Sequence, residues 1–174
     1  MVRSMKSFCC LALLANLSTA VRPAPLQAQT EASRRWTLSS TFTALGGGGL
    51  DRWLFGPELA IRYDVGREWG LGLRAALPVL DSAPYSDDGA IALDLGPTWT
   101  RRSSRGELGL QAGATAFLVG DRGELRDGGI GPFVSAFGTR WLSSGLGVAG
   151  GATVRIGASG GVFTGVSAGL SFRL

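Results

Sequence analysis

The sequence predicts an all-β fold, an eight-stranded antiparallel up-and-down barrel that crosses a membrane. Three observations predict it. The chain has 174 residues, 28 of them glycine, with a positive mean hydropathy and few charges. Beyond Ala20 no apolar run reaches the ~18 to 20 residues that a spanning helix needs. Instead, eight segments alternate apolar with small or polar residues, and period two over ~9 to 12 residues is a strand signal. Their connections alternate between long and short, the pattern of a barrel with short turns at one rim and longer loops at the other.

The first element is a leader. Arg3 and Lys6 form a basic start, Phe8 to Leu17 is a short apolar stretch, and Ser18, Thr19 and Ala20 fit a small-residue cleavage site. Together these predict a secretory signal peptide. A second cleavage site follows Ala28, so residues 1–28 are expected to be signal and leader, 29–35 a short linker and 36–174 the barrel. Cys9 and Cys10 leave with the signal, and no disulfide or thiol chemistry is expected in the mature chain. Loss of Arg3, Lys6 and Arg22 takes 17 basic residues to 14 against 13 acidic ones, a net charge of +1. The pI near 9.8 therefore does not signal nucleic-acid binding.

The strands follow in order. The first segment, Trp36 to Leu45, opens on a tryptophan. The second, Pro57 to Val65, puts Leu59, Ile61, Tyr63 and Val65 on one face and Glu58, Ala60, Arg62 and Asp64 on the other. In the third, Leu71 to Leu80, Leu71, Leu73, Ala75, Leu77 and Val79 oppose Gly72, Arg74 and Ala76. The fourth, Ala90 to Thr100, sets Ile91, Leu93, Leu95 and Trp99 against Ala92, Asp94, Gly96 and Thr98. The fifth, Glu107 to Val119, carries Glu107, Gly109, Gln111 and Gly113 on its inner parity. The sixth, Gly131 to Trp141, leaves its facing open, because Phe133, Phe137 and Trp141 oppose the equally apolar or small Val134, Ala136 and Gly138. In the seventh, Leu146 to Ile156, Leu146, Val148, Ala152, Val154 and Ile156 oppose Gly147, Ala149, Gly151, Thr153 and Arg155. The eighth, Val162 to Leu174, points Val166, Ala168, Leu170 and Phe172 outward and Ser167, Gly169, Ser171 and Arg173 inward.

A soluble sandwich or lipocalin-like barrel predicts the same alternation with the faces exchanged. Loops and aromatics separate the two. Short connections run from Gly66 to Gly70, Arg101 to Gly106 and Leu142 to Gly145, and longer ones from Gly46 to Gly56, Asp81 to Gly89 and Gly120 to Gly129. The last connection, Gly157 to Gly161, is short although it falls on the long-loop side. Four of the five tryptophans, Trp36, Trp69, Trp99 and Trp141, fall at the short-turn rim, as an interfacial aromatic girdle would.

At the end of the eighth segment, Ser167, Gly169, Phe172 and Leu174 occupy the places of a polar residue, a glycine and two alternate apolar positions. This resembles the C-terminal assembly signal of bacterial outer-membrane barrels. With the leader and the eight segments, the chain resembles the small eight-stranded outer-membrane β-barrel family of the OmpA transmembrane-domain and OmpX type. The resemblance implies the outer membrane of a Gram-negative cell as location, lipid and lipopolysaccharide as surroundings, the barrel-assembly machinery as a partner, and a monomer. It also implies closure of the eighth strand on the first, which removes the exposed edges of an apolar sheet.

The chain has no histidine, and with no mature cysteine the common nucleophile and base pairs are missing. No enzyme activity, cofactor, metal site or nucleic-acid partner is expected. Inward ionisable residues are Glu58, Arg62, Asp64, Arg74, Asp94, Glu107, Arg155 and Arg173, four of each sign. Charges inside a narrow barrel must pair, so a lumen network that plugs the interior is the expected reading. The functional expectation is a structural, envelope-integrity or surface-interaction role. A narrow pore or a barrel binding a small molecule or lipid is the alternative, and a soluble secreted lipocalin-like binder the third reading. The acidic outer loops hold no Asp-x-Asp-x-Asp-Gly spacing of a calcium loop. The run Gly46 to Gly49 lacks the lysine of a phosphate loop.

Overall fold

A computed structural model describes residues 36–48, 50, 53–78, 89–121 and 124–174. The expected signal, leader and linker, residues 1–35, lie outside the described residues, as does most of the connection expected from Asp81 to Gly89. Eight strands form in order: β1 (Trp36–Gly47), β2 (Leu54–Asp64), β3 (Trp69–Ala76), β4 (Gly89–Arg102), β5 (Gly106–Asp121), β6 (Glu124–Trp141), β7 (Leu146–Ile156) and β8 (Val162–Arg173). Each pairs antiparallel with its sequence neighbours, and β8 pairs with β1, so the sheet is a closed up-and-down barrel. The expected fold is therefore the observed one.

Closure depends on small residues where strands converge. A Cβ on Gly169 of β8 would collide with the Ser40 carbonyl of β1, and Gly169 stands opposite Thr41 in the closing ladder. Between β4 and β5 the ladder runs from Leu95↔Ala114 to Thr98↔Gln111, passing over Gly96 and Pro97. Pro97 has no N–H to give, and a side chain on Gly96 would strike the Ala112 carbonyl. The two backbones approach there because neither Gly96 nor Gly113 carries a Cβ.

At the long-loop rim β1, β2, β5 and β6 exceed their expected lengths, whereas β3 ends at Ala76, short of the expected Leu80. The described residues of the loop expected from Gly120 to Gly129 instead continue the β5–β6 hairpin, paired as far as Asp121↔Glu124 with a register shift between Val119 and Gly120. Its charged, glycine-rich composition breaks the apolar alternation, but a bulged hairpin extending past the apolar band does not need that alternation. The β1–β2 loop likewise shrinks, because β1 reaches Gly47 and β2 begins at Leu54. Positive φ at Gly47 (100°) and Gly48 (60°) turns the chain there.

Polarity is inverted relative to a water-soluble barrel. Leu59, Ile61, Leu71, Leu73, Ile91, Leu93, Leu95, Leu110, Val148 and Leu170 are exposed on the outer surface, whereas Glu58, Arg62, Arg74, Asp94, Glu107 and Arg155 are buried inside. Side-chain alternation places these two sets on opposite faces of the same strands.

Candidate functional site: the lumen and its two rims

The mid-lumen holds two ion pairs. Arg155 of β7 reaches across to Asp94 of β4, its Nε donating to Oδ1 at 3.0 Å and its Nη2 to Oδ2 at 2.7 Å. Both residues are sealed, Asp94 at 0% and Arg155 at 2% exposure. Arg74 stands directly opposite Asp94 in the β3–β4 register, yet its guanidinium donates to the hydroxyls of Thr153 and Ser135. Its Nε lies 3.7 Å from Glu58 Oε1, and that oxygen also accepts from the Thr41 hydroxyl at 3.2 Å.

A second cluster lies nearer the short turns. Arg62 donates to Glu107 at 2.6 Å, to Asp64 at 3.1 Å and to the Thr37 hydroxyl at 3.3 Å. The Glu107 carboxylate also faces Arg102 at 3.5 Å and Arg173 at 3.8 Å. Arg62 rests on the Phe137 ring at 5.3 Å, and Arg173 on the Trp141 ring at 3.8 Å, close enough for cation–π attraction. All eight expected ionisable residues thus face the lumen and belong to these two groups.

Sequence reasoning missed a fifth cation, Arg102, which pairs with Asp64 and Glu107. Residues 101–106 read as a turn, but β4 runs through Arg102. The signal was present in the parity of Asp94, Gly96, Thr98, Thr100 and Arg102.

Between the two charged groups is a polar cavity of about 60 Å³. Glu58, Arg62, Arg74, Thr98 and Gln111 face it, together with Ala149 and Gly150. Gln111 donates across it to the Gly72 carbonyl at 2.7 Å. A polar void of this size is roomy enough for water.

The long-loop half of the lumen is apolar, which the inner parity of the sequence did not suggest. Leu45, Leu54, Ala76, Ala90, Ala92, Phe117, Val119 and Phe163 form one buried cluster, with Leu50 packed on it. Phe117 and Phe163 meet edge to face at 4.7 Å. Gly48 lies beneath Phe163, and a Cβ there would run into its ring.

At the short-turn rim, Trp36 and Trp69 point outward at 45% and 60% exposure. Trp36 packs against Tyr63 at 4.6 Å. Trp99, opposite Trp69 in register, donates its indole N–H to Glu68 at 3.1 Å. Trp141 departs from the expected outward girdle. It lies at the same rim but on the inward register of β6, shared with Phe133, Ser135, Phe137 and Thr139, with the Arg173 guanidinium over its ring. That register also answers the facing of β6: the Phe133 face is buried, and Val134 and Ala136 are exposed.

The residues of the expected assembly signal lie on the closing strand. Ser167 and Gly169 face inward opposite Thr43 and Thr41, and Phe172 stands opposite Leu38. The Leu174 N–H donates to the Trp36 carbonyl at 3.0 Å.

No family model matches the chain, and no curated protein matches it. Solved structures do. Neisserial surface protein A superposes with a TM-score of 0.59 at 11% identity, over 80% of this chain and 96% of that one. Ail, the attachment invasion locus protein of Yersinia pestis, gives 0.55 at 12% identity, over 80% and 97%. The N-terminal β-barrel domain of Pseudomonas aeruginosa OprF gives 0.52 at 10% identity, over 79% and 97%. At such identities the likeness is one of architecture, and the chain has the fold of the small eight-stranded outer-membrane β-barrels.

Proposed function

We propose that this chain is a non-enzymatic outer-membrane barrel, with its short turns toward the periplasm and its longer loops toward the outside. Its role is envelope integrity or contact at the cell surface. The observation that carries this reading is the inverted polarity of the strands. Apolar residues on the outer faces of β2, β3, β4, β7 and β8 are exposed while, among the described residues, the buried charged and polar side chains fill the lumen. A water-soluble monomer does not present so continuous an apolar belt; a hydrocarbon core takes it up. The same inversion argues against the soluble lipocalin-like reading. Lipid and lipopolysaccharide then surround the belt, and the barrel-assembly machinery reads the closing strand.

The apolar cluster around Phe117 and Phe163 argues against an open pore, because it fills the lumen above the polar cavity. Two of the structurally similar proteins are named for the cell surface and for attachment and invasion, which agrees with a role carried by the loops.

The test is gel mobility of the protein from an outer-membrane fraction, unheated against boiled, in mild SDS. A heat-dependent shift in that fraction supports the proposal. A periplasmic, soluble protein without a shift refutes it. Turnover of labelled lipid by the folded barrel would refute the non-enzymatic part, and steady single-channel conductance would favour the pore.

A further inference from the structure

Every arginine that enters the lumen has an acidic partner, whereas Arg67, Arg101, Arg105 and Arg140 at the short-turn rim are exposed and form no ion pair among the described residues. Three of them bracket the start of β5. Arg101 points outward from β4 opposite Leu108, and Arg140 points outward from β6 opposite Gly106. Arg105 occupies the turn between, its carbonyl accepting the Trp141 N–H at 2.9 Å. The outward positions separating Arg101 from Arg140 are Leu108, Gly106 and Gly138, and the two glycines have no side chain to fill the space. Arg101 and Arg140 thus edge a notch two strand spacings, or about 10 Å, across, with Leu108 and the two glycines between them. Outward Leu108, Leu110 and Ala136 continue from it along the barrel wall.

We infer that this notch binds the headgroup of an anionic phospholipid in the leaflet facing the short turns. The inference rests on the membrane reading above and names a lipid contact within it. Guanidinium groups match phosphate oxygens in a bidentate manner, and three of them that form no ion pair among the described residues make the notch cationic. The Glu68 carboxylate accepts from the Trp99 indole on the β3 side. A phosphodiester without an ammonium group offsets part of this positive charge, while a zwitterionic headgroup brings a further cation into it. The acyl chains then lie along Leu108 and Leu110, where the wall is apolar.

The experiment is native mass spectrometry of the folded barrel in non-ionic detergent, titrated with phosphatidylglycerol or with phosphatidylcholine. The wild type is expected to retain phosphatidylglycerol in preference, and to lose that preference as salt rises. The triple variant Arg101→Gln, Arg105→Gln, Arg140→Gln should weaken phosphatidylglycerol binding by about tenfold or more, since each cation near an anionic surface contributes roughly fivefold. Equal retention of the two lipids by the wild type, or an undiminished preference in the triple variant, overturns the inference. So does displacement of phosphatidylglycerol by an equal concentration of inorganic phosphate. Each protein is also run unheated against boiled. A wild type with no mobility shift counts against the membrane reading itself, whereas a shifted barrel with no lipid preference sinks the notch alone. Should the triple variant fail to shift, the salt dependence of the wild type still decides.

Discussion

Replacing Arg155 with Met leaves the sealed Asp94 carboxyl without its bidentate partner. Two unit charges about 4 Å apart attract by roughly 4 kcal/mol at an effective dielectric near 20, and breaking a buried pair from one side typically costs about 3 to 5 kcal/mol. The lower end applies here, because Arg74 stands opposite Asp94 in register and can swing toward it, giving up Thr153, Ser135 and Glu58. The expected loss is therefore about 3 kcal/mol, read by urea unfolding of the barrel in vesicles with tryptophan emission as the signal. Asp94→Asn should cost a similar amount, since it strands the guanidinium. In the double variant no unpaired charge is left, so its cost should fall short of the summed singles by about 2 kcal/mol or more. A loss below about 1 kcal/mol for Arg155→Met, a value typical of exposed pairs, would refute the reasoning, as would strict additivity of the two changes.

Three further outcomes are expected. In single-tryptophan variants placed in vesicles, a headgroup-level quencher should reach Trp69, which is outward and 60% exposed, and spare Trp141 beneath Arg173; equal quenching would place Trp141 on the wrong face. Gly96→Ala should destabilise the barrel by more than about 1 kcal/mol through collision with the Ala112 carbonyl. Gly66→Ala, with nothing within 4 Å, should stay within about 0.5 kcal/mol in the same unfolding assay. Removing both rings of the apolar cluster, Phe117→Ala with Phe163→Ala, should cost about 3 to 5 kcal/mol per ring and raise ion conductance in planar bilayers. A double variant as tight as the wild type would show that these rings do not close the lumen.

Strand identity and facing were legible because each strand meets two different surroundings, and period two records which residue meets which. That is why Glu58, Arg62, Arg74, Asp94, Glu107 and Arg155 could be assigned to the lumen before any pairing was known. β6 resisted because Phe133 and Phe137 face inward while Val134 and Ala136 face outward, so both its faces are apolar and the period carries no sign. The hairpin through Gly120 and Gly129 resisted because it extends beyond the apolar band. Partners across the lumen were not legible either. Arg155 meets Asp94 from 61 residues away, and that meeting depends on strand stagger rather than on either local sequence. Phe117 and Phe163 show the same limit, since each reads locally as one more apolar residue and only their common height makes a cluster.

The segregation of the lumen along its axis bears on why charges are there at all. An apolar filling of the whole interior would tolerate a strand sliding along its neighbour, since one aliphatic residue replaces another. A one-residue slip of β2, β3 or β7 would instead turn Arg62, Arg74 or Arg155 onto the outer face. If that face meets lipid, each arginine costs about 2 to 4 kcal/mol near the bilayer midplane, in addition to stranding its carboxylate. A two-residue slip keeps the face but moves Arg155 about 7 Å along the axis, beyond reach of Asp94 at its observed 2.7 and 3.0 Å. The polar half therefore fixes register against both kinds of error, and the apolar half around Phe117 and Phe163 packs together without needing such exact alignment. An interior divided in this way penalises every register but the observed one through its polar half alone.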